Sequence, residues 1–341
     1  MDRLIEHRLP DGRSVASIVF APLDKAGGRL EFVDVGARNG SFLLPACYAA
    51  RSRITGFEPN RVEYDKLLSG RTDAAAFGLR EPLFKERRYL PYAVWSENTE
   101  RTLYLTVGPG AVSLMGPVHE AMTKNMWRES DGGQNYFERH QSPVGKDRVT
   151  CVALDRIWDE PAGLIDVLKL DVEGAELHVL KGAAALLSGR RILLIFSEFL
   201  LVPYYQDRMT LGHQQVFLDE LGYRLIAINA DHDGYSWRRT GIQAKNDRRM
   251  KYAGDAIFVV DPDRNSLSAE EMYRLGLACM SFGFNAFGLN LIRETGKLAA
   301  ADIAAIETEA NKVTVARRVH EAWKRAPDVG YRLLRAFGLR G

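Results

Sequence analysis

The sequence predicts a doubly wound α/β domain carrying a helical extension at its C-terminus. Three observations lead there. Short apolar runs recur between Leu30 and Asp261, alternating with segments of helical periodicity, which is the pattern of a mostly parallel sheet with helices on both faces. The first run ends in a glycine-bracketed loop, VDVGARNGSF (residues 33–42), where the ligand crevice of such a sheet opens. From Ser266 onward the pattern is helical and no strand signal appears.

The elements follow in order. Residues 1–28 are mixed in pattern and end in the turn signal KAGG. RLEFVDVG reads as a buried strand, and SFLLPACYAA as the start of a helix that tolerates Pro45 in its first turn. RITGFEP is a second strand, stopped by Pro59, and NRVEYDKLLS a helix capped by Asn60. YLPYAVW is a third, shorter strand, and RTLYLTV is β-rich. Residues 108–147 break the rhythm with glycines, prolines, His119 and His140; a loop this long suits a lid or substrate segment. LIDVLKLDVEG is a strand buried on both faces, and AELHVLKGAAALLSG one amphipathic helix closed by Gly189. RRILLIFSEFL, a helix LGHQQVFLDELG, and the strands YRLIAINA and DAIFVVD complete the domain. The last two strands are joined by a polar, basic stretch (231–254) without a helix, so the sheet should finish antiparallel. The division is an N-terminal segment 1–29, a main domain 30–262 and helices over 263–341.

Bulk properties exclude several classes. Of 341 residues, 46% are apolar and 26% charged, enough for a large core, and a net charge of +2 gives no pull toward nucleic acid. Cys47, Cys151 and Cys279 have neither metal-ligand spacing nor an even count, so a reduced, cytoplasmic setting fits. The histidines form no metal-ligand cluster either. The greasiest stretch, ILLIFSEFLLV, carries Glu198 and falls short of the roughly 20 apolar residues of a membrane span. Charge is concentrated at the end: from Lys312 eight basic residues face only Glu321 and Asp328.

The glycine loop has G-x-x-x-G spacing (Gly36, Gly40), without the third glycine of a dinucleotide fingerprint or the Lys-Ser/Thr of a Walker loop. Asp34 ends the first strand, where a carboxylate repels phosphate and suits an ammonium or sulfonium. Glu58 ends the second strand, 18 positions beyond Gly40, at the distance from which an acid accepts ribose hydroxyls. S-adenosylmethionine, with ribose, positive charge and no phosphate, fits such a crevice well.

VDVGARNGSF, GFEPN, PYAVW and above all LKLDVEGAELHVLKGA resemble the FkbM family of S-adenosylmethionine-dependent methyltransferases, over roughly residues 30–261. The resemblance implies the class I methyltransferase fold, a Rossmann-like sheet of seven strands with the last antiparallel. It also implies S-adenosylmethionine as cofactor, S-adenosylhomocysteine as product, and hydroxyls of sugars, glycans or secondary metabolites as acceptors.

Candidate residues come from both routes. Gly36, Asn39 and Gly40 let the loop approach the cofactor, Asp34 lies beside them, and Glu58 holds the ribose. Ala93 and Val94 match the family's adenine side, and Ser113 a serine after its third-strand region. Lys169, Asp171 and Glu173 alternate, so they should project from one side of a strand end. Asp171 is expected near the transferred methyl, with Glu173 beside it and Glu198 as a further acid over the acceptor; the same row could also be an ion-pair network. Glu176 suits the first turn of a helix; His178 should be packed or solvated, and His119, His140 and His213 lie near the active face. Arg38 should point outward, toward the acceptor.

These residues favour O-methylation of a small molecule or glycan. An NAD(P)-dependent oxidoreductase and a non-catalytic module on the same fold are the alternatives. In the tail, Val315, Val319, Trp323 and Ala326 form an apolar stripe beside basic residues, suited to docking on the parent domain or a second subunit, or to an anionic membrane or acidic polymer.

Overall fold

A computed structural model describes residues 3–116, 118, 140–158, 163–235 and 250–312. His119, the centre of the 108–147 segment and the basic tail stripe lie outside them.

Among the described residues, ten strands make two sheets. The larger holds β1 (Leu30–Val35), β2 (Ser52–Phe57), β3 (Glu86–Leu90), β7 (Ile165–Leu170), β8 (Ile192–Leu200), β9 (Tyr223–Tyr235) and β10 (Met250–Val260) in the order β3-β2-β1-β7-β8-β10-β9. The pairs β2–β3, β1–β2, β1–β7 and β7–β8 are parallel, and β10 runs antiparallel to both neighbours. This is the class I methyltransferase sheet, with its last strand reversed. The chain winds outward from β1 in one direction and from β7 in the other, so the crevice lies between the ends of β1 and β7.

The smaller sheet, β4 (Ala93–Val94), β6 (Pro143–Val152) and β5 (Thr99–Thr106), departs from the sequence reading. YLPYAVW is divided between the two sheets at Pro91, which has no amide to donate. β3 starts upstream, in the charged stretch ERRYL, because it is an edge strand and needs little apolar surface. β5 and β6 pair antiparallel, and Gly108 N donates to His140 O (2.9 Å), so the 108–147 segment leaves and returns at one point.

Two helix expectations are corrected. Residues 41–45 are irregular, and the helix begins only at Ala46–Ala49, because Pro45 biases the preceding residue away from helical backbone. AELHVLKGAAALLSG is two helices, Glu176–Lys181 and Ala184–Ser188. The break falls at Gly182, where a Cβ would stand 2.0 Å from Trp95 O; Asp155 then caps the second helix through Ala185 N (2.8 Å) and Leu186 N (2.9 Å). Asn60 caps Arg61–Ser69 as expected.

The helices beyond residue 262 share the core of the sheet rather than hanging from it. Tyr273, Leu277 and Met280 of Ala269–Ser281 are buried in the same cluster as Phe32, Leu168 and Ile195. Tyr273 Oη donates to Val19 O (2.7 Å), tying in the N-terminal segment. Arg274 grips the buried Asp166 of β7 (2.6 Å), whose other oxygen accepts from Glu31 N (2.6 Å). Among the described residues no helix is long and apolar enough to cross a membrane.

Candidate active site

The site begins where β1 and β7 part. Gly36 has φ +88°, and a Cβ on it would stand 1.9 Å from Asp171 O, so only glycine lets the two strand ends touch. The loop then turns through Asn39 (φ +71°), and Asn39 Oδ1 accepts from Ala74 N (3.4 Å). Gly36, Asn39, Glu58, Ala93, Val94, Ser113, Asp171 and Glu173 all line one cavity of about 200 Å³. Elements from five places in the chain therefore meet as the sequence implied.

Two expected residues do not line it. Asp34 is wholly buried behind the loop, where Lys169 Nζ meets Asp34 Oδ1 at 3.0 Å, Gly36 O at 3.3 Å and Asp171 Oδ2 at 3.3 Å. Burial works against the Lys169 ammonium, but the fields of Asp34 and Asp171 outweigh it and raise its pKa. Asp34 thus anchors the wall instead of facing a ligand. Gly40 (φ +84°) lies against Glu81, whose Oε1 accepts from Ser41 N (2.7 Å). Arg38 does not point outward: its Nε donates to Glu63 Oε2 (2.8 Å) and its other end pairs with Asp73, fastening the loop to the next two helices.

Glu58 is 6% exposed, and one oxygen accepts from Asn60 N (2.8 Å). Burial, with a smaller push from Glu63, raises its pKa to about 7 against the help of the Asn60 amide.

β7 ends at Leu170, so the expected alternation stops after Asp171. Glu173 turns into left-handed backbone (φ +54°), held there by Ser113 Oγ, which donates to Glu173 O (2.7 Å). Gly174 follows at φ +93° beneath the Tyr205 ring. Carboxylate oxygens of Asp171, Glu173 and Glu198 nevertheless lie within 4.8 Å of one another, a spacing that could hold a divalent cation or shared protons. Burial raises Glu173 to about 8, Asp171 and Glu176 adding to the push while a hydrogen bond from Gln141 opposes it. Burial likewise raises Glu198, reinforced by Glu173 and Asp171. Glu176 serves the backbone instead, accepting from Val172 N (3.1 Å) and Gly174 N (3.2 Å).

Asp171 and Glu173 also line a second cavity of about 530 Å³, with Glu198, Gln141, Tyr204, Tyr252 and Asp255. Asp255 stands directly across from Glu198 in the antiparallel β8–β10 register. Sequence reasoning missed Gln141, Tyr204, Tyr252 and Asp255; only that register brings Asp255 in. The described histidines stay out of both cavities. His178 stacks on Trp95 (centroids 3.8 Å apart) and His213 closes the capping box of Leu211–Glu220.

Residues 34–225, just over half the chain, match the family model described as the methyltransferase FkbM domain. The chain belongs to the FkbM methyltransferase family. The matched span of this FkbM methyltransferase contains every site residue named above except those supplied by β10. Its fold and family make its chemistry S-adenosylmethionine-dependent methyl transfer. No curated protein matches the sequence. Among solved structures it is similar to magnesium protoporphyrin IX methyltransferase from Synechocystis with bound SAM (12% identity, 71% of this chain and 76% of that one, TM-score 0.32). It is also similar to a TehB-like SAM-dependent methyltransferase from Corynebacterium glutamicum (9% identity, 71% and 87%, TM-score 0.30).

Proposed function

We propose that this FkbM methyltransferase transfers a methyl group to a hydroxyl of a polyhydroxylated small molecule or glycan. The observation that carries the reading is the wall shared by the two cavities: Asp171 and Glu173 face both, Glu58 lies on one side and Glu198 on the other. The first cavity suits S-adenosylmethionine. Glu58 offers a carboxylate to ribose hydroxyls, Gly36 keeps the loop backbone open, and Ala93 and Val94 leave a flat apolar wall for a base. When bound, the cofactor supplies an electrophilic methyl group.

The second cavity receives the acceptor. Its carboxylates accept from several hydroxyls at once, while Tyr204 and Tyr252, stacked with centroids 5.8 Å apart, provide an aromatic wall. Glu173 takes the hydroxyl proton as the oxygen attacks, and Glu198 orients a neighbouring hydroxyl. Release of S-adenosylhomocysteine across a panel of monosaccharides, glycans, polyols and amines tests this, with the product's methyl group located by NMR. A new methyl ether is expected; methylation confined to nitrogen or carbon overturns the reading.

A further inference from the structure

Eleven large hydrophobic side chains stand exposed among the described residues, and five of them fall between positions 62 and 83: Val62, Leu68, Phe77, Leu79 and Leu83. Phe77 and Leu83, 86% and 80% exposed, are the two most exposed of the eleven. Isolated apolar residues on a surface are ordinary, but Phe77, Leu79 and Leu83 stand exposed together on one short connection, and contiguous exposed apolar surface marks an interaction site.

This stretch is a firmly held lobe. Phe77 N bonds to Asp73 O (3.2 Å), Leu79 N to Ala74 O (3.0 Å), and Arg87 donates to Pro82 O (3.1 Å), so the apolar tips project from a braced turn. The lobe's acids are engaged with the protein: Asp73 with Arg38 and Lys66, Glu81 with Ser41, Tyr89 and Arg87. Arg71 and Arg80, both exposed, have no acidic partner among the described residues. Exposed apolar tips flanked by uncompensated guanidinium groups match the boundary of an anionic bilayer, where acyl chains lie beneath phosphate headgroups.

We propose that the Phe77–Leu79–Leu83 lobe, with Arg71 and Arg80, is a docking surface for an anionic membrane. The lobe is fastened to the glycine loop at three points, Arg38 to Asp73, Asn39 to Ala74 and Ser41 to Glu81. Docking through it therefore fixes the orientation of the cofactor cavity relative to the lipid surface.

Co-sedimentation of the full chain tests this, using vesicles of phosphatidylcholine alone and of phosphatidylcholine with phosphatidylglycerol. Wild type is expected to pellet with the anionic vesicles and much less with the neutral ones. Phe77→Ser/Leu83→Ser should weaken partitioning about tenfold or more, since it removes two inserting side chains. Arg71→Glu/Arg80→Glu should abolish the preference for anionic lipid. Both variants should keep wild-type affinity for S-adenosylmethionine by calorimetry, because none of these side chains lines either cavity. Failure of wild type to pellet with anionic vesicles overturns the proposal and leaves a protein partner as the occupant. Equal pelleting of wild type and Phe77→Ser/Leu83→Ser also overturns it, assigning any lipid binding to another surface such as the basic tail.

Discussion

The Lys169 ammonium lies 3.0 Å from the Asp34 carboxylate beneath the glycine loop, with Asp34 wholly buried and the Lys169 side chain 14% exposed. Two adjacent strands, β1 and β7, each contribute one charge to this pair, and their register sets Asp34 directly beside Lys169. The same ammonium reaches Asp171 and Gly36 O, so one lysine braces the loop, the strand end and an acid of the shared wall.

Removing the lysine alone leaves Asp34 buried without its counter-ion. Lys169→Met should destabilise the fold by roughly 3–5 kcal/mol, the usual consequence of breaking one side of a buried pair. The double variant Asp34→Asn/Lys169→Met removes the orphaned charge and should regain most of that loss. Denaturant unfolding of the three proteins checks the expectation; equal stability of wild type and Lys169→Met sinks it.

Glu58 should make cofactor affinity depend on pH. Burial raises its pKa to about 7 in the free protein, whereas hydroxyl donors from ribose favour the ionised form. Binding then lowers the pKa and releases a proton wherever Glu58 starts protonated. Affinity for S-adenosylmethionine should therefore weaken as pH falls below 7, about tenfold between pH 8 and pH 6. Calorimetry in buffers of different ionisation enthalpy should detect the released proton near pH 7. In Glu58→Ala the affinity should drop and the pH dependence vanish; unchanged affinity in that variant removes Glu58 from the cofactor site.

Much of this was legible from periodicity and local chemistry. β7 reads as a strand because IDVLKL carries apolar residues on both faces around Asp166 and Lys169, and Glu58 stands out in the sequence because it ends the second strand 18 positions beyond Gly40. Asp34 was read correctly in position but not in role. Its neighbour in sequence is the loop, yet its partner, Lys169, is 135 residues away and visible only once β1 and β7 are paired. Asp255 and Tyr252 escaped for the same reason, since strand pairing brings them to Glu198 and Leu201. β3 begins earlier than its apolar residues suggest because an exposed edge strand can carry charge.

Glu173 should set the pH profile of catalysis. Its backbone sits at φ +54° with the Ser113 hydroxyl on its carbonyl, and Gln141 donates to its carboxylate. Burial first, then Asp171 and Glu176, raise its pKa to about 8, which makes its ionised form a stronger base than an ordinary glutamate. Only that ionised form can accept the hydroxyl proton, so kcat/KM should rise about tenfold per pH unit below 8 and level off above it. Glu173→Gln keeps the shape and loses the base; its rate should fall about 10²- to 10⁴-fold, and the rising limb should disappear. Ser113→Ala should lower kcat while leaving a limb, because the carboxylate remains but its backbone support is gone. If the limb persists unchanged in Glu173→Gln, the base is another group, and Glu198, raised by burial and by Glu173 itself, becomes the residue to test.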